Sequence, residues 1–103
     1  MKSELFAQIL AIVAEICEVS TENILSTCKT SDVVEARCIL VQECRNYGIP
    51  PSTIARLIHR KRIVSVYDCM NNYNDWYQQS YAFRMQCEEV SKKLSATYPR
   101  TLR

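Results

Sequence analysis

Between positions 4 and 17, apolar residues fall at Leu5, Phe6, Ile9, Leu10, Ile12, Val13, Ile16 and Cys17. That spacing wraps a broad stripe round a helix, as a well-packed core helix requires. Val19-Ser20-Thr21 interrupts the pattern, and Ser20 is a natural N-cap for a short helix through Ile24 and Leu25. Thr30-Ser31-Asp32 offers a second cap, which predicts a long helix from Val33 to Tyr47. Gly48 stands where a helix end favours a left-handed residue, and Pro50-Pro51 reinforces the stop. Pro51 suits the first turn of the next helix, Ser52 to Ile58. A basic turn at 59–61 then leads to a helix over about 62–73. Asn74 or Asp75 is expected to cap a last helix in which Trp76, Phe83, Cys87, Val90 and Leu94 recur at helical steps, with Pro99 as its end.

The pattern predicts an all-α, six-helix single domain over 1–103, without internal repeats, linker or low-complexity segment. Composition agrees. One glycine and three prolines in 103 residues leave little for sheets or long loops. With 48% hydrophobic and 23% charged residues, the chain has the balance of a folded globule. No apolar run reaches membrane-spanning length, so no membrane partner is expected.

Six cysteines, Cys17, Cys28, Cys38, Cys44, Cys69 and Cys87, raise the question of disulfides or metal. They form no CxxC pair, and no secretory signal pattern opens the sequence. All but Cys28 sit among apolar positions at helical spacing, as free thiols do in cores. The expectation is a reduced, cytoplasmic protein with structural thiols and no metal or cofactor; a metal or redox sensor is the less favoured alternative. His59, the single histidine, has no serine or cysteine nucleophile with an orienting acid around it, so an enzyme is not expected.

Net charge is only +2, with a pI near 8.2, yet His59-Arg60-Lys61-Arg62 concentrates positive charge in one run. That run lies inside Ser52-Thr-Ile-Ala-Arg-Leu-Ile-His-Arg-Lys-Arg-Ile-Val-Ser-Val66. A helix-turn-helix, here about 51–73, needs a small residue where its two helices cross, and Ala55 supplies it. Ile54, Leu57 and Ile58 are expected to face Ile63, Val66 and Met70 behind the turn. The usual motif carries a glycine four residues after the alanine, where this chain has His59, and its later apolar position is filled by Val66 rather than Ser65. The turn is therefore one residue longer than the commonest version.

Thr30-Ser-Asp-Val-Val-Glu-Ala-Arg-Cys38, followed by Ile54-Ala-Arg-Leu-Ile58 and Val66, resembles the C-terminal DNA-binding domain (domain IV) of the bacterial chromosomal replication initiator DnaA. The likeness runs without gaps from Lys29 to Met70 and is extended over most of the chain. It implies a helix-turn-helix that reads the major groove of double-stranded DNA, with Lys29 matching a basic-loop arginine and Arg37 an arginine of the long helix. The family reads Gly-Gly-Arg-Asp-His-Thr-Thr-Val where this chain reads His59-Arg60-Lys61-Arg62-Ile63-Val64-Ser65-Val66. Lys61 for arginine and Ser65 for threonine are mild changes. Arg62-Ile63-Val64 for the base-reading Asp-His-Thr is not, and the initiator's own recognition sequence is not the expected target. The initiator's ATPase domain has no counterpart here, so origin melting unaided is not expected.

The expected contacts follow. Lys29, Arg60 and Lys61 would meet phosphates, and Ser52 and Thr53 at a helix start would offer backbone amides to one. Arg62 would bond guanine, Val64 touch a thymine methyl, and Ser65 reach a base edge or phosphate. Ile63 is expected to point into the core. Arg37 falls inside the apolar arc of its helix, where pairing with a carboxylate and contact with a phosphate are equally weighted. Trp76, Tyr73 and Tyr77 are read as core packing. The leading reading is a stand-alone accessory or regulatory protein of replication or transcription. Its rival is a protein-interaction module that keeps the fold but has lost DNA binding. An unbroken positive face from Lys29 to Arg62 would favour the first, and an exposed apolar patch round Val64 and Tyr67 the second.

Overall fold

The structure, a computed structural model, describes residues 2–60 and 62–97. Six helices account for them: α1 Lys2–Cys17, α2 Thr21–Leu25, α3 Ser31–Asn46, α4 Pro51–Leu57, α5 Val64–Gln79 and α6 Tyr81–Thr97. Among the described residues there is no strand and no helix long and apolar enough to cross a membrane. The described residues form an all-α single domain of six helices.

Helix α3 is the hub, packing against all five others. Its Ala36, Cys38, Ile39, Leu40, Val41 and Cys44 are buried almost completely. Ile9 and Val13 of α1, Ile24 of α2, Ile54 of α4 and Ile58 at its end, Val66 of α5, and Phe83, Val90 and Leu94 of α6 close round it. Burying one such side chain contributes about 1.5–3 kcal/mol, so this shared core dominates the stability.

Three helices end alike. At the close of α3, Ile49 N–H donates to Cys44 O at 3.0 Å and Gly48 N–H to Arg45 O at 2.9 Å. This is a Schellman closure, and Gly48 takes its left-handed position with φ +87°. At the close of α1 Val19 N–H reaches Ala14 O at 3.1 Å, with Glu18 at φ 58°. After α4, Arg60 N–H reaches Ala55 O at 2.7 Å and His59 N–H reaches Arg56 O at 3.1 Å, with His59 at φ 61°. Two side-chain-bearing residues therefore hold a conformation that costs an L-residue about 1–2 kcal/mol.

Several boundaries differ from the periodic pattern. Ser20 caps α2 as expected, its Oγ accepting from Asn23 N–H at 3.0 Å. Thr30 occupies the cap position of α3 but makes no side-chain capping bond; its Oγ1 lies 3.5 Å from Cys28 Sγ instead. The break expected at Asn74 or Asp75 does not exist. α5 runs on to Gln79, and Ser80 ends it and starts α6, its Oγ accepting from Phe83 N–H at 3.2 Å. Trp76 and Tyr77 consequently belong to α5. Both are half-buried, and Trp76 and Tyr73 hold Phe83 edge-on at 5.7 and 5.5 Å between ring centroids. Arg84 of α6 secures the corner by donating to Tyr77 O at 3.0 Å and Gln78 O at 3.2 Å.

Candidate nucleic-acid interface

The basic run lies in the connection between α4 and α5. Ile54, Ala55, Ile58 and Val66 are buried behind it, and Leu57 and Met70 are partly buried against the same core. The small side chain of Ala55 is what permits so close an approach; it is 5% exposed. With α4 stopped by the left-handed His59, the chain turns and re-enters helix at Val64, where Val66 N–H donates to Ile63 O at 3.0 Å.

Two arginines tie this connection to the loop after α2. Arg37, 6% exposed, donates from Nε to Ile24 O at 2.7 Å. Its Nη2 reaches Asn23 O at 3.2 Å, Ser26 O at 3.0 Å and Cys28 O at 3.1 Å. One buried cation thus gathers carbonyls from the C-terminal turn of α2 and from the residues just beyond it. These partners within the chain are backbone carbonyls, not the carboxylate that its place on the apolar arc suggested. Arg60 donates to Ile58 O at 3.2 Å and to the same Ser26 O at 3.1 Å. Burial, and then the charge of Arg60, hold the Arg37 pKa below the ordinary arginine value.

Lys29 is exposed on that same loop, and Arg62 is exposed at the foot of α5. Ser52 is exposed and Thr53 half-buried in the first turn of α4. Val64 is exposed and Ser65 half-buried in the first turn of α5, with Asp68, Asn71 and Asn72 exposed further along. Lys61 lies outside the described residues. An open groove of about 410 Å³ runs between α4 and the turn, lined by Ser52, Ala55, Arg56, His59, Arg60 and Ile63.

Two features were not expected. Ile63 does not face the core: it is 43% exposed, because α5 starts at Val64, about two residues later than expected, and leaves Ile63 on the lip of the groove. With Val64 and Tyr67, each 47% exposed, it forms an apolar patch at the head of α5. Arg56, also exposed, lines the same groove and was not among the expected contacts. Its i, i+4 spacing from Ser52 puts both on one face of α4, and that was the signal available.

All six cysteines are free thiols; Cys17, Cys38, Cys44 and Cys87 are buried, and Cys28 and Cys69 are half-buried. Burial pushes Cys17 up to about 11 and Cys44 and Cys87 up to about 12. Among the described residues no three His, Cys, Asp or Glu side chains converge as a metal site.

No protein-family model matches this chain, and no curated protein matches it either.

Proposed function

We propose that this chain binds double-stranded DNA through α4 and α5, used as a helix-turn-helix of the DnaA C-terminal type, in an accessory or regulatory role in replication or transcription. One observation carries the reading. His59 adopts the left-handed conformation at the position where the usual motif has glycine, and Arg60 straps the resulting turn to Ser26. A turn anchored at its start in this way supports presentation of the head of α5 to a groove.

Exposed cations flank that element. Lys29, Arg56 and Lys61 are assigned to phosphates, and Arg62, Val64 and Ser65 to base edges. Arg37 and Arg60 are assigned as positioning residues, because their guanidinium groups are engaged with backbone carbonyls. The role is binding rather than catalysis, in a cytoplasmic setting. The test is selection from random duplexes followed by salt titration of the best site. A selected site whose affinity falls with salt supports the proposal, and a chain that enriches no sequence and shows no salt-dependent affinity for any duplex rejects it.

A specific observation favours a second reading, a protein-docking module. Ile63, Val64 and Tyr67 expose apolar surface at the tip that would enter the groove. Val64→Glu separates the two. Repulsion from DNA should abolish duplex binding, while a protein docked on the patch would be lost without any salt-dependent duplex binding having existed.

A further inference from the structure

Where α5 meets α6, an open cleft of about 230 Å³ is lined by Tyr73 and Tyr77 of α5 and by Cys87, Glu88 and Ser91 of α6. The two tyrosine rings are stacked, 5.7 Å between centroids. Behind the cleft stands Glu43 of α3, 2% exposed, whose carboxylate accepts from Ser91 Oγ at 2.5 Å. Among the described residues no cation pairs with that carboxylate, and a carboxylate buried without a counter-charge is costly. Tyr77 likewise donates to Glu88, across a long 3.5 Å. Both hydroxyls thus give their protons to carboxylates and keep oxygen lone pairs for a further donor. No Lys, Arg or His lines the cleft. Arg84 stands over the Tyr77 ring at 5.5 Å, but its guanidinium donates to the Tyr77 and Gln78 carbonyls. Burial first, with the charge of Glu43 a lesser cause, pushes the Cys87 thiol up to about 12, so the field of Glu43 reaches the cleft wall.

We propose that this cleft is a binding site for a primary alkylammonium ion, held by Glu88, the Ser91 oxygen and the two tyrosines. The chemistry of the walls selects that class. They carry acceptors and negative charge, so an anion is repelled by Glu43 and Glu88. A metal ion lacks its ligands, because no three His, Cys, Asp or Glu side chains converge among the described residues. An ammonium group brings three N–H donors to the Glu88 carboxylate and the hydroxyl oxygens, and the tyrosine rings attract the same charge. The volume lies below the roughly 300–1,000 Å³ of pockets that enclose whole drug-sized molecules, and suits a short aliphatic stem. The cleft lies toward the C-terminal end of α5, and the proposal does not depend on DNA binding at the other end.

The experiment titrates the full, isotope-labelled chain with n-butylammonium chloride against matched sodium chloride, read by NMR. Backbone amides of Tyr73, Cys87, Glu88 and Ser91 should shift saturably, with a Kd of roughly 1–10 mM. Tetramethylammonium, equally charged but without N–H donors, should bind at least about tenfold more weakly. Glu88→Gln should weaken n-butylammonium about fivefold, whereas Glu89→Gln, the same loss of charge one residue on and outside the cleft, should leave it unchanged. Both glutamates are exposed, so both variants should fold. Nα-acetyl-lysine methylamide and 1,4-diaminobutane separate the two sources of the group: tighter binding of the first points to a lysine side chain, of the second to a free diamine, and either supports the site. Shifts no larger than those from sodium chloride overturn the proposal. So does equal binding of tetramethylammonium, or an equal effect of the two glutamine variants.

Discussion

Arg37 and Arg60 meet on one acceptor: the Ser26 carbonyl receives Nη2 of Arg37 at 3.0 Å and Nη2 of Arg60 at 3.1 Å. Two like charges at one oxygen repel, and the arrangement survives because each cation also donates to carbonyls that the other does not reach. Arg37 serves four of them and is buried; Arg60 serves two and is half-buried. The loop after α2 and the turn after α4 are therefore one unit.

That unit predicts unequal costs. Arg37→Ala should lower the unfolding free energy by about 3 kcal/mol, because it takes the donor from the Ile24 and Cys28 carbonyls. Arg37→Lys should recover less than half, since a single ammonium cannot reproduce the planar fork. Arg60→Ala should cost only about 1 kcal/mol. Urea denaturation of the three variants checks the order. Equal costs for Arg37→Ala and Arg60→Ala would show that the carbonyls Arg37 does not share with Arg60 add nothing to stability.

The left-handed turns predict a gain. His59→Gly removes a Cβ from φ 61° and should stabilise the chain by about 1 kcal/mol, a rise in Tm of roughly 4–8 °C. Glu18→Gly at φ 58° should give a similar rise, and the double variant should be near-additive, because the two turns end different helices. Thermal melts that show a loss at either position would mean that the side chain, not the backbone, sets the stability there.

Alkaline pH should unfold the protein. Cys17 at about 11, and Cys44 and Cys87 at about 12, lie above the ordinary thiol value of 9.0, so the folded state retains protons that the unfolded state releases. Their contribution is fully present below pH 9 and is lost as the pH climbs through 11–12. Urea midpoints measured under reducing conditions should stay flat with respect to these thiols below pH 9 and fall above it. A midpoint independent of pH up to 11 would contradict the burial of these thiols.

DNA binding, if carried by the head of α5, should show a divided pattern. Lys29→Ala and Arg56→Ala should weaken all sequences alike, each lowering the salt slope by about 0.9. Arg62→Ala should weaken the selected site by about 1–3 kcal/mol more than a scrambled duplex. The initiator's own box should be preferred over its scramble by no more than one mismatch, ~1–3 kcal/mol. Ile63, though exposed, offers no hydrogen bond, and Val64 recognises only a methyl group. A strong preference for the box would transfer readout to Lys29 or to duplex shape.

The residues alone determine most of the helices. Apolar spacing marks α1 and α3, Ser20 caps α2, and Gly48 with Pro50 and Pro51 separates α3 from α4, because each of these acts within one or two turns of backbone. The tertiary structure alone decides the rest. Asn74 and Asp75 look like caps, yet Ser80 is the break, because Tyr73 and Trp76 must both reach Phe83 across the α5–α6 corner. Ile63 has the polarity of a core residue but stands outside, because α5 begins only at Val64, about two residues later than the apolar period suggests. Arg37 shows its position on an apolar arc but not its partners, since those are backbone carbonyls from another element that no side-chain pattern records. Periodicity encodes which face of a helix is buried; what that face meets depends on contacts between residues distant in the chain.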